Sequence, residues 1–180
     1  MARHDRQKDD WYPTPFKATE KLLQVEDFDE TVWEPAAGDG AISVVLEDNG
    51  YKTISSDLND YGFCDAGVDF LMETERKADS LVTNPPYKLA DEFVKHAIHL
   101  EVPKHAWLLR LSFLEGVKRH YSIFSINPPS RVHVFSQRLT IWRGDYIHSN
   151  TPVFTSDTTA YAWFVWDKDD DSGMTQVLWI

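Results

Sequence analysis

Short β-branched and apolar runs alternate with segments of helical period along most of the chain, and this alternation limits the fold more than any other feature of the 180 residues. TVWEP (Thr31 to Pro35) reads as a strand, and AISVVLEDNG (Ala41 to Gly50) as a helix with Ile42, Val45 and Leu46 on one face and an Asn-Gly stop. YKTISSD gives a second strand, GVDFL a short third and DSLVTNP a fourth. The helix LADEFVKHAI, with Leu89, Phe93 and Ala97 at four-residue spacing, leads into HAWLLRLS, a buried strand. A helix over FLEGVKRHYSIFSINPP then carries Leu114, Val117, Tyr121 and Phe124 on one face and ends at Pro128 and Pro129, and RVHVF and AYAWFVW supply two more strands. The order predicts an α/β fold with a mixed, mostly parallel seven-stranded sheet flanked by helices. Ligands of such sheets sit at the carboxyl ends of the strands.

One domain over residues 1–180 suits this length, since 42% hydrophobic content with seven Trp, seven Tyr and ten Phe is enough for one sizeable core. A single cysteine, Cys64, forms no internal disulfide, and no apolar run of about 18 residues is present, so the expectation is a soluble, cytoplasmic protein. Net charge is -11, which argues against a polyanionic partner, but it is unevenly spread. Between residues 88 and 143 nine Lys and Arg face four acids, while the remainder is strongly acidic. That stretch is either an electrostatic footprint for nucleic acid or ordinary surface scatter.

After the first strand comes EPAAGDG, Glu34 to Gly40. Gly38 and Gly40 permit a tight turn immediately before a helix, so amide donors point into the crevice. Asp57 ends the second strand seventeen residues later, where a nucleoside-binding α/β fold puts a carboxylate on ribose hydroxyls. A dinucleotide fits poorly, because Glu34 and Asp39 would repel a pyrophosphate. An acidic crevice suits a cation instead.

These residues resemble the glycine loop of S-adenosylmethionine-dependent amino-methyltransferases, [D/E]-P-x-x-G-x-G, matched by Glu34, Pro35, Gly38 and Gly40 with Ala36 inside the loop. The resemblance covers most of the chain. It implies a Rossmann-like class I methyltransferase that binds S-adenosyl-L-methionine, a sulfonium and ammonium cation without phosphate. Tyr12, Thr14 and Pro15 in DWYPTPF are similar to the upstream element that holds the cofactor's methionine part, Asp57 to the ribose acid, and Asp69 with Phe70 to the pair that recognises its adenine. NPPY (Asn84, Pro85, Pro86, Tyr87) matches the catalytic [D/N/S]-P-P-[Y/F/W] motif, with steps of 17, 12 and 15 residues from Gly40 through Asp57 and Asp69 to Asn84. This order resembles the DNA N6-adenine methyltransferases, and the compact size resembles those encoded by bacteriophages. Related forms act on RNA bases and on protein glutamine amides, and a non-catalytic nucleic-acid-binding relative is a further alternative.

An amino group conjugated to a ring is a poor nucleophile, so a catalyst has to favour its pyramidal form. Two acceptors aimed at its two N–H bonds do this: the Asn84 side-chain oxygen and the Pro85 carbonyl, fixed by a stiff Pro-Pro corner. Tyr87 then offers a flat face to a planar target. Taken alone, NPPY is also a strand-to-helix corner with a capping asparagine. A base in duplex DNA has to be rotated out of the stack, and Lys88, Arg110, Arg138, Trp142 and Arg143 are the candidates for gripping nucleic acid. The last three lie in a turn-rich insertion, 136–159, that serves as a target-recognition loop or as a long connector. His96 and His99 read as a helix face rather than a metal site, the acids from Asp169 to Asp171 as a solvated turn, and Cys64 as an inert thiol; no metal is expected.

Overall fold

A computed structural model describes residues 12–141, 159–170 and 172–180. Among the described residues eight strands form one sheet in the order β3-β2-β1-β4-β5-β7-β6-β8. They are β1 (Thr31–Glu34), β2 (Lys52–Asp57), β3 (Asp65–Ala66), β4 (Ser80–Thr83), β5 (Lys104–Arg110), β6 (Arg131–Val134), β7 (Tyr161–Asp167) and β8 (Gln176–Trp179). Only β7 runs against its neighbours, pairing antiparallel with both β5 and β6. Helices α1 (Phe16–Leu23), α2 (Ala41–Asp48) and α3 (Ala90–His99) cover the faces.

Alternation along the central strands feeds two cores. Trp33, Leu81, Trp107, Leu109 and Phe164 point to the side of α3, while Val32, Val82, Ala106, Leu108 and Trp163 point to the side of α1 and α2. A strand buried on both faces reads as a continuous apolar run, which is why these segments are legible. Their indoles are not stranded: Trp163 donates to the Ala18 carbonyl at 2.8 Å and Trp107 to His105 Nδ1 at 2.6 Å.

Three expectations need correction. The sheet has eight strands rather than seven, because Gln176–Trp179 pairs in parallel with β6 at the edge; every residue of β8 is exposed, so it lacks the buried run that marks a strand. GVDFL is not a strand: Asp65–Ala66 takes that place, and Phe70–Met72 forms a 3-10 turn capped by Asp69. The helix after β5 is misphased. Gly116, at φ 110°, interrupts it, and Val117–Arg119 (α4) widens into a π turn over His120–Phe124. The wider turn breaks the 3.6-residue register, so Leu114, Val117 and Tyr121 are exposed while Phe113 and Ile123 are buried.

Candidate active site

The carboxyl ends of β1, β2 and β4 open onto one crevice, which the segment around Tyr12 closes from the opposite side. Its floor is the glycine loop. Gly38 and Gly40 have φ of 56° and 82°, left-handed values that other residues adopt only at a cost, and Gly40 caps α2. The Phe63 ring lies so close over Gly40 that a Cβ there would overlap it. Pro35 is buried beneath the loop, whereas Ala36 and Gly38 line the crevice.

Two carboxyls meet here. Asp57, at the end of β2, accepts from the Gly38 amide at 2.9 Å and from the Asn59 amide at 2.8 Å, tying the glycine loop to the neighbouring strand. Glu34, at the end of β1, is 1% exposed and accepts from Ser43 Oγ on α2. Burial pushes the Glu34 carboxyl well above its usual range; the Ser43 bond opposes the shift, and the neighbouring Asp39 and Asp57 charges add to it. Burial raises Asp57 too, against the pull of its amide donors. Neither acid forms an ion pair with Lys or Arg among the described residues. Buried acids without a cation are costly, so the donor set fits a ligand that brings positive charge.

Asn84 stands at the end of β4. Its Nδ2 donates to the Tyr12 carbonyl and to Thr14 Oγ1, both at 3.0 Å, and these two bonds fix which way the amide points. Its Oδ1 is buried and has no hydrogen-bond partner among the described residues. An orphan acceptor of this kind costs roughly 1–3 kcal/mol and asks for an explanation. The upstream segment therefore orients the Asn84 amide, a role the motif alone did not reveal. Pro85 and Pro86 line the crevice beside it. Pro15 caps α1 and is not part of the lining.

Tyr87 is half-buried, with Tyr12 at 5.6 Å and Tyr161 at 5.7 Å between ring centroids, and the Arg110 guanidinium lies over its ring at 4.8 Å. Its hydroxyl is buried beside Tyr161 and Asn84, and burial pushes its pKa well above the ordinary value. Lys88 is exposed on the turn that follows. Arg138 is exposed past β6 and shares a hollow of about 330 Å³ with Lys17 and Lys21 of α1, two cations that a search confined to residues 88–143 missed. Trp142, Arg143 and most of the 136–159 insertion lie outside the described residues.

Asp69 and Phe70 are not brought to the crevice. Asp69 accepts from the Leu71 amide at 3.0 Å, and Phe70 is 2% exposed, packed at 5.1 Å against Trp33 and 4.9 Å against Phe93. An Asp-Phe pair after a strand satisfies a turn cap and a core position as readily as a ligand. The crevice has a water-accessible volume of about 50 Å³.

The fold has relatives among solved structures. A Pyrococcus horikoshii protein described as an RNA methyltransferase superposes with a TM-score of 0.61 at 19% identity, over 93% of this chain and 92% of that one. The chain has the class I methyltransferase fold. A precorrin-6y C5,15-methyltransferase of Geobacter metallireducens superposes at 0.52 and 15% identity, over 84% and 86%. A modification subunit of a type I restriction enzyme from Vibrio vulnificus superposes at 0.58 and 14% identity, over 92% of this chain but 45% of the subunit. Identities this low establish the methyltransferase fold and leave the substrate open. No protein-family model matches the sequence, and no curated protein matches it.

Proposed function

We propose that the chain is an S-adenosyl-L-methionine-dependent amino-methyltransferase that modifies the exocyclic amino group of adenine in DNA. The observation that carries this reading is the buried Oδ1 of Asn84, which has no partner among the described residues and is oriented by two donor bonds at a rigid corner, beside two buried acids with no cation among those residues. Bound S-adenosyl-L-methionine supplies a methyl group activated on a sulfonium. Glu34 and Asp57 would hold the cationic cofactor from the glycine-loop side. Asn84 Oδ1 accepts one N–H of the target amine and the Pro85 carbonyl the other, so the nitrogen lone pair is turned out of the ring before the methyl arrives. The proton leaves to water once the nitrogen is alkylated, so no strong base is required.

Nucleic acid is the substrate class favoured by the surface. Arg110, Lys88 and the hollow of Lys17, Lys21 and Arg138 follow β4–β6 ends or α1's start, on the same side of the sheet as Asn84. Nucleic-acid phosphates reward such a track. The horikoshii protein is described as an RNA methyltransferase and the Vibrio subunit belongs to a restriction enzyme, so relatives of both kinds share the fold.

The test is direct. Purified protein is incubated with methyl-labelled cofactor and either DNA or RNA, the polymer is digested to nucleosides, and the products are identified by mass spectrometry. N6-methyldeoxyadenosine is the expected product. Label confined to RNA, or to a glutamine of a protein substrate, moves the substrate accordingly; no transfer to any of them overturns the reading.

A further inference from the structure

Arg110 is the last residue of β5, and β5 lies beside β4, so the arginine stands next to the corner that Asn84 begins. Arg76, Arg119 and Arg131 each hold a carboxylate. Arg110 has no ion pair among the described residues; its exposed guanidinium instead lies 4.8 Å from the centroid of the Tyr87 ring. The other two neighbours of that ring are anchored. Tyr161 is 4% exposed at the start of β7, and the Tyr12 carbonyl accepts from Asn84. Of these three groups, which lie against Tyr87 among the described residues, Arg110 is the one that a ligand can displace without unpacking a strand or the Asn84 amide.

We propose that Arg110 is a placeholder and a positioning residue for the target: it covers the Tyr87 ring until a nucleic-acid strand arrives, then yields the ring to the extruded base and takes a phosphate of that strand. The inference rests on the functional reading above. A guanidinium is suited to both states, because it stacks on an aromatic face through cation–π attraction and forks onto phosphate oxygens. The exchange makes and breaks no covalent bond.

Its consequence is selectivity. A strand that displaces Arg110 from the ring hands it a phosphate in return. A free, uncharged nucleoside displaces the same contact and returns nothing. The site therefore discriminates against loose nucleosides, which present the same planar ring to Tyr87 as a base in a polymer does.

The experiment uses the full chain and two fluorescent probes: free 2-aminopurine riboside, and a single-stranded oligonucleotide with one 2-aminopurine between randomised flanks, each titrated by quenching. Arg110→Ala is expected to bind the riboside about two- to fivefold more tightly, the factor that an exposed cation–π contact represents. The same variant is expected to bind the oligonucleotide about tenfold more weakly, with a salt slope lower by about one. Arg110→Lys, which keeps the charge, should recover most of that slope. The opposite signs are decisive, since a variant that merely let Tyr87 collapse would weaken both probes together. Parallel weakening of both, or an unchanged oligonucleotide affinity and salt slope, overturns the placeholder. A wild-type protein that binds neither probe overturns the functional reading along with it.

Discussion

At the amino ends of β5 and β6, Glu26 is gripped by Arg131 at 2.5 and 3.0 Å, by Lys104 at 2.9 Å and by His133 at 2.7 Å, and Asp167 and Asp170 close the cluster through Arg131. At the carboxyl ends of β1 and β2, Glu34 and Asp57 are buried as deeply but have no cation beside them among the described residues. Burial alone would raise all three acids. Hydrogen bonds from His133, Arg131 and Lys104 overcome it at Glu26 and hold that carboxyl down to about 2, whereas Glu34 and Asp57 remain above their ordinary values. The difference separates two uses of charge in one sheet. One end is saturated and ties the turn after α1 to β5, β6 and β7; the other is left unsatisfied where a ligand can complete it.

The largest expected effect comes from breaking the saturated end. Glu26→Ala strips Lys104, Arg131 and His133 of their most buried anion and leaves the two cations only Asp167 and Asp170, and the cost is about 3–5 kcal/mol of stability, read by urea denaturation. The pH dependence has a definite sign. The folded carboxyl titrates near 2 against an ordinary 4.5, so its contribution is present above pH 4.5 and is lost as pH falls from there towards 2. A loss below about 1 kcal/mol would mean that solvent screens the cluster as it does a surface pair.

That cluster was invisible in the sequence, since Glu26 and Arg131 are 105 residues apart and no spacing rule joins them. It also lowers the apparent basic footprint, because Lys104 and Arg131 belong to it and Arg119 pairs with Asp91. The alternating strands, the glycine turn and the NPPY corner were legible because each is a local pattern with one dominant cause: burial on both faces, positive φ, or a stiff ring. What failed was not local. β8 is held by pairing rather than by burial, the π turn depends on Gly116, and the contact of Arg110 with Tyr87 exists only because β4 and β5 are neighbours.

A sharper contrast comes from Asn84→Ala at the unsatisfied end. Its methyl transfer should fall by about 100- to 1,000-fold in kcat, the usual consequence of removing one preorganised polar contact to the reacting group. Stability should change by no more than about 1–2 kcal/mol, because the variant loses two bonds to Tyr12 and Thr14 but also removes a buried acceptor that had no partner. Glu26→Ala should do the reverse, lowering stability while single-turnover chemistry of the folded fraction survives. Stopped-flow transfer rates beside denaturation curves on both variants decide it; equal losses of both properties in both variants would erase the distinction between the ends.

The smallest effect, and the one most particular to the unsatisfied end, belongs to Glu34→Gln. In the ligand-free fold the Glu34 carboxyl sits well above 4.5, so its contribution to stability is present below that value and fades as pH rises through the folded pKa; the amide, which cannot ionise, should become increasingly stable relative to wild type as pH rises. Cofactor binding reverses the preference, because a cation beside the carboxyl favours its charged form. Wild-type affinity should therefore climb with pH and binding should expel a proton, which calorimetry detects as a heat that varies with the ionisation enthalpy of the buffer. The glutamine variant should release fewer protons and lose less than about tenfold in affinity at the acidic end of the range, with the gap widening as pH rises. Proton release that is identical in the two proteins would place the cofactor's positive charge away from Glu34 and leave that acid, like Glu26, a structural group.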